Sequence, residues 1–259
     1  MHLFGFSSIV FTILALIAAQ TKDPGSSKPT RHDSVEVVAK LSPEEVENQK
    51  LEDVYEPISA QERKGNCSTE IVGRYKSEVI PLAEKSSFNV PKNKFLFLAH
   101  QDIGNCYLAL QKFVEAETSF KKALQYAPVW PGVNDSDYPI DFRQIGTAQM
   151  GQERWEAAEE SFQKSVSIFD SQIDQVMKSD AERAASLRGS KALTMAYLGI
   201  AYLRQGRTAD AMKTVDSAFG EVKQPDVPAR FAKRVVELGR LIAQGTGDND
   251  AIAKWSQRN

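Results

Sequence analysis

His100-Gln-Asp-Ile103-Gly104-Asn-Cys-Tyr107, followed by Phe113, Ala116, Phe120, Ala123 and Pro128, is the stretch that decides the fold. The same order returns twice. Phe142, Ile145, Gly146 and Gln149 precede Trp155, Ala158 and Phe162, and Met195, Leu198, Gly199 and Tyr202 precede Ala211, Val215 and Ala218. Each Gly stands twelve residues before its Ala (104 to 116, 146 to 158, 199 to 211). Three copies in one register identify an internal repeat. In each copy the first segment sets a large residue, an Ile or Leu, and usually a Tyr on one helical face at i, i+3 and i+7. The Gly removes a side chain where a second helix crosses closely, the Ala accepts that approach, and an aromatic four residues later fills the space beside it. Gln111-Lys112, Gly151-Gln152 and Gln205-Gly206 mark the turns between the helices.

This pattern resembles the tetratricopeptide repeat family over roughly residues 95–219. The resemblance implies an all-α fold, a right-handed helical-hairpin solenoid of three units with flanking capping helices. The repeats fall near 97–130, 139–178 and 192–223 within a domain at 95–245. The first copy is nearly complete, the second has Gln149 in place of Tyr, and the third has Val215 in place of the aromatic. The glycines lie 42 and then 53 residues apart, against about 34 for a standard unit. The first surplus falls in the loop-like stretch Val129–Pro139. The second falls in Ser167–Gly189, which is charged and helix-compatible. It predicts a helix running to about Lys178 and a next helix starting near Ser179-Asp180-Ala181-Glu182. Such elongated pairs look like the repeats of the kinesin light chain type.

Outward from the repeats, residues 60–94 read as an N-terminal capping region, with helix in Asn66–Ser87 interrupted near Pro81. A C-terminal cap is expected at 226–245, with Phe231, Val235, Leu238, Leu241 and Ile242 on one face. Residues 246–259 form a tail in which Ala251–Trp255 either docks or frays. Residues 20–59 read as a flexible acidic spacer containing Pro24, Pro29, Pro43 and Pro57. Within it, Ser42-Pro43-Glu44-Glu45 would start a helix well. Met1–Ala19 is apolar, without a charged side chain, and ends in small residues. It reads as a secretory signal peptide cleaved after Ala19. Its length also suits an uncleaved membrane anchor. Both readings deliver the rest of the chain to an exported setting, secreted or in a periplasm or cell envelope.

Charge is nearly balanced, 32 Lys/Arg against 34 Asp/Glu, which argues against a global grip on nucleic acid. With two Cys and three His in 259 residues there is little material for metal or Cys/His chemistry. No His-x-x-x-His, Cys-x-x-Cys, Gly-x-Ser-x-Gly or phosphate loop occurs. The chain therefore reads as non-enzymatic, with no catalytic residue, cofactor or metal expected. An enzyme or small-ligand binder would have to use the 129–139 insertion. His100 occupies a packing position. Cys67 and Cys106 are an even pair, so a disulfide tying the pre-repeat helix to the first repeat is permitted. A buried thiol at Cys106 is equally natural.

By the family resemblance, a partner's peptide segment lies on the concave face, against residues three before, one after and four after each Gly. These are Gln101, Asn105 and Leu108; Arg143, Thr147 and Met150; and Ala196, Ile200 and Leu203. The basic clamp of chaperone-binding members is incomplete, because Gln101, Ala196 and Ile200 bring no charge. The groove grades from polar to apolar along the chain, and its apolar end is either open or met by the capping helix. Residues 178–259 carry fourteen Lys/Arg against nine Asp/Glu, and Arg230, Lys233, Arg234 and Arg240 share the cap helix. That face is either solvated or suited to an anionic surface or an acidic partner. The expectation is a protein–protein interaction scaffold.

Overall fold

The computed structural model describes residues 41–127 and 137–258, which form helices and turns and no strand. The expected signal segment, the expected spacer up to residue 40 and residues 129–136 of the loop expected at 129–139 lie outside the described residues, and residues 137–139 of that stretch are helical instead. The chain divides into two compact units, one up to residue 132 and one from residue 133 on.

The N-terminal unit begins with α1 (Pro43–Arg63). Ser42 caps it, with Oγ accepting from Glu45 N at 3.3 Å and the Glu45 carboxylate accepting from Ser42 N at 2.7 Å. Leu51, Tyr55, Ile58, Ser59 and Glu62 recur at helical spacing and are buried. This corrects the spacer boundary. Residues 43–59 are helix because a capping box and one apolar stripe outweigh the acidic face and Pro57, which is exposed.

A second helical run follows as α2 (Thr69–Arg74), a π-helical turn (Tyr75–Val79) and α3 (Ile80–Glu84). The sequence suggested a break near Pro81. Instead the backbone widens by one residue just before it, and Ile80 N–H donates to Tyr75 O. A proline ring collides with the carbonyl four residues earlier in an α-helix, and a wider turn relieves that contact. Then come α4 (Asn89–Ala109) and α5 (Phe113–Tyr126), the first repeat pair. α4 begins before the expected boundary at residue 95 and packs against α1, α3 and α5.

The C-terminal unit comprises α6 (Asp137–Gly151), α7 (Trp155–Val176), α8 (Ala181–Arg204), α9 (Thr208–Val222), α10 (Ala229–Thr246) and α11 (Asn249–Ser256). From α7 on, each helix packs on its predecessor, and α10 also lies on α8. α7 and α8 are long, as the surplus residues predict. Asp180 caps α8 by accepting from Arg183 N at 2.9 Å. The extra turns bury Phe169, Ile173 and Leu187 against Ile140 and Val176.

The glycine rule has a direct physical form. A Cβ at Gly104 would come within 2.7 Å of the Phe120 ring, and one at Gly146 within 2.7 Å of Phe162. The third copy has Val215, whose Cβ would stand 3.8 Å from one on Gly199, and Ile242 of α10 fills the remainder at 3.0 Å. The cap thus supplies the bulk the third repeat lacks. The three inter-helix turns each pass through a left-handed residue, Gln111 (φ 58°), Glu153 (φ 58°) and Gly206 (φ 77°).

The C-terminal tail docks. Trp255 is fully buried, and its ring occupies the space a side chain at Gly239 would need. Phe219 meets it edge-on at 5.6 Å, and the Arg258 guanidinium lies 3.9 Å from the Trp255 ring centroid. Arg240 donates to the carbonyls of Trp255, Ser256 and Arg258, while Asp216 pairs with Lys254 and Arg258, each at 2.9 Å.

Candidate peptide-binding surface

On α4, Gln101 and Asn105 are half-buried and stand four residues apart on one face, with Leu98 half-buried one turn before them. Leu108, expected beside them, is buried in the core at 2% exposure. Two features hold this row from behind. The Cys67–Cys106 disulfide, with Cα atoms 4.9 Å apart, fixes α4 to the turn before α2. Below it, Asp102 sits in the interior and its Oδ2 accepts from Tyr55 OH of α1 at 2.8 Å and from Tyr75 OH of the π turn at 2.6 Å. Ser59 Oγ donates to Tyr55 OH at 3.2 Å, and Arg63 to Ser59 Oγ at 2.8 Å.

Burial pushes the Asp102 carboxyl upward, and the hydroxyls of Tyr75 and Tyr55 partly counter it. Burial and then the Asp102 charge also push both phenols up, so they stay protonated donors. His100 is buried and stacks on Tyr126 with centroids 6.0 Å apart and planes 2° off parallel. Burial, helped by Lys122 and Lys76, lowers its imidazole to about 4. The ring is neutral packing material, as its position in the repeat implies. Lys76 Nζ donates to Tyr107 OH at 2.7 Å, tying the π turn to α4 a second time.

The C-terminal unit treats its share of the expected groove differently. Arg143, Thr147 and Met150 on α6 and Ala196 and Ile200 on α8 are all buried. Leu203 is half-buried and lies against Gly245 of α10. These positions are not an open surface. On α8 the cap contributes, because α10 packs on α8 and brings Phe231 to Gly189 and Ile242 to Gly199, while α6 packs on α7 and α8. Gln149, at the missing Tyr position, accepts from Ser161 Oγ at 2.7 Å and so joins α6 to α7 by a polar contact.

The basic character of the cap helix is also partly spent inside the unit. Arg234 is buried and pairs with Glu237 at 2.9 Å, and Arg240 binds the C-terminal carbonyls. Lys191 is held between Asp170 and Glu221, each at 2.7 Å, and those partners raise its ammonium despite burial. Among the described residues no group of His, Cys, Asp and Glu could hold a metal ion, and no helix is long and apolar enough to cross a membrane.

Sequence reasoning missed the Asp102 network. Its signal was a carboxylate inside the run Phe95–Leu108, which is otherwise mostly apolar. A buried acid demands donors, but nothing in sequence spacing names Tyr55 and Tyr75 as those donors.

Residues 97–128 match the tetratricopeptide repeat family model, which spans the first helix pair. No curated protein sequence matches the chain. The fold is similar to two crystal structures of a kinesin light chain-type protein of Podosopora anserina with nearly identical TPR-like repeats. One gives a TM-score of 0.57 at 13% identity, covering 81% of this chain and 92% of that one. The other gives 0.56 at 13% identity, covering 82% and 93%.

Proposed function

From a chain that carries a tetratricopeptide repeat and has a TPR-like all-α fold, we propose a non-enzymatic scaffold that binds a segment of a partner protein along α4. The observation that carries this is the contrast in exposure of equivalent positions. Gln101 and Asn105 are half-exposed and four residues apart on one face, whereas their counterparts in the C-terminal unit are buried. Repeat proteins of this kind use the inner helix of each unit to receive partners. The rigid backing of α4 by the disulfide and by Asp102 supports recognition, because a preorganised face loses little entropy on binding.

The test is capture of partners by the full chain and by two doubly substituted forms. Gln101→Arg with Asn105→Arg should abolish recovery. Gln125→Arg with Lys121→Glu, exposed on α5, should leave it intact. Equal recovery from both folded variants would reject the α4 row as the binding face.

The exported setting belongs to the same proposal. The Cys67–Cys106 disulfide supports it, since such bonds persist in oxidising compartments. Determining the N-terminus of the mature protein checks it. A start at Gln20 is expected for the secreted form, and an intact Met1 would reject cleavage in favour of a membrane-tethered form.

A further inference from the structure

At the start of the N-terminal unit, α1, α3 and Phe88 enclose a groove of about 540 Å³. Leu41, Val46, Leu51, Leu82 and Phe88 supply apolar walls, and Glu47, Lys50 and Lys85 supply charge. This volume is within the range of sites that hold ligands or anchoring side chains. Five large apolar side chains are exposed among the described residues, and two of them, Leu41 and Val46, line this groove. Leu41 is 57% exposed and Val46 39%, and Val90, two residues past Phe88, is 42%. A terminal helix of a repeat stack ordinarily turns a polar face outward. Among the described residues, nothing covers the apolar surface of α1 at Leu41 and Val46.

The charges at the groove are unequal. The Glu47 carboxylate already accepts from Ser87 N at 3.3 Å. Lys50 and Lys85 are exposed and have no ion-pair partner among the described residues. The groove therefore offers an apolar floor with two spare ammonium groups, and its complement is an apolar segment bearing a carboxylate.

We propose that this groove is a second docking site, separate from the α4 row, for a partner's apolar peptide segment that carries one Asp or Glu side chain. The aliphatic or aromatic side chains of the segment fill the space between α1 and α3, and its carboxylate lies between Lys50 and Lys85.

Panning the full chain against a random peptide display library tests this without knowledge of the natural partner. Enriched peptides are expected to share two or more large apolar residues around one acidic residue. The Lys50→Glu, Lys85→Glu double variant should lose that set by at least tenfold and select Lys- or Arg-bearing peptides instead. Leu82→Asp should lose both sets, while Gln101→Arg with Asn105→Arg should keep the original one, which separates this site from the α4 row. Matched circular dichroism and unfolding midpoints establish that each variant is folded. No enrichment, or the same peptides on the charge-reversed variant, overturns the proposal. Carbodiimide cross-linking of the free chain supplies a second readout. A link from Lys50 or Lys85 to Glu36, or a covalent dimer through them, would show the groove taken by the chain itself and also overturn it.

Discussion

The N-terminal and C-terminal units build the same helical hairpin and finish it in opposite ways. The first is held by a covalent bond and a polar core, with Cys67–Cys106 behind α4 and Asp102 bound by two tyrosines. It leaves an apolar groove at Leu41–Phe88 and an amide row on α4 in view. Both units set a ring into a glycine notch within the hairpin, Phe120 at Gly104 and Phe162 at Gly146. The second adds Phe231 at Gly189 and Trp255 at Gly239 where its terminal helices close over it. It buries its own groove positions. The difference teaches that a repeat sequence defines a hairpin but not its accessibility. Whatever packs next decides which positions remain for a partner.

The contrast can be broken most strongly at the disulfide. Replacing Cys67 and Cys106 together with Ser and Ala opens a link between residues 39 apart in sequence. The expected loss is about 4 kcal/mol in the chain-entropy account. Hydrogen exchange should place that loss in α1–α4 and leave α7–α10 protected as before. Equal deprotection of both units would erase the distinction.

Next in size is Trp255→Ala. Truncating a fully buried tryptophan costs about 3 kcal/mol here, the lower end of the aromatic-to-alanine range, since α11 can undock as a unit. Urea unfolding measures it. A loss under about 1 kcal/mol would mean that the terminal seal is not structural.

The smallest effect is a pH dependence confined to the N-terminal unit, which holds His100, while residues 133–259 contain no histidine. The folded imidazole is lowered to about 4 by burial, against about 6.5 in the unfolded chain. Between those values the unfolded chain takes up a proton that the folded chain refuses. Stability therefore falls as pH drops from about 6.5 to 4 and levels off below that. His100→Phe keeps a ring against Tyr126 and should remove that acid sensitivity. An unchanged pH profile of stability would assign the sensitivity elsewhere.

The hairpins, their turns and the long α7–α8 pair were legible because glycine, alanine and aromatic residues recur at fixed spacing. Asp180 even marked the start of α8. The cap helix was legible from its apolar stripe. The fate of Arg143 and Ile200 was not. Their exposure depends on the packing of another element, and a resemblance assigns positions without assigning solvent. α1 was obscured by Pro57 and by acidic residues that turn out to be its solvated face. The partners of Asp102 lie 47 and 27 residues away, beyond any local pattern.

Asp102 has a consequence for how α4 is placed. Apolar faces recur every turn, so a helix can slide along its neighbour by one turn and still find greasy surface. A buried carboxylate cannot follow, because a slide of α4 against α1 or the π turn would strip it of the Tyr55 or Tyr75 hydroxyl and leave it bare. One acid thus sets the alignment of three segments, and with it the height at which Gln101 and Asn105 meet whatever arrives.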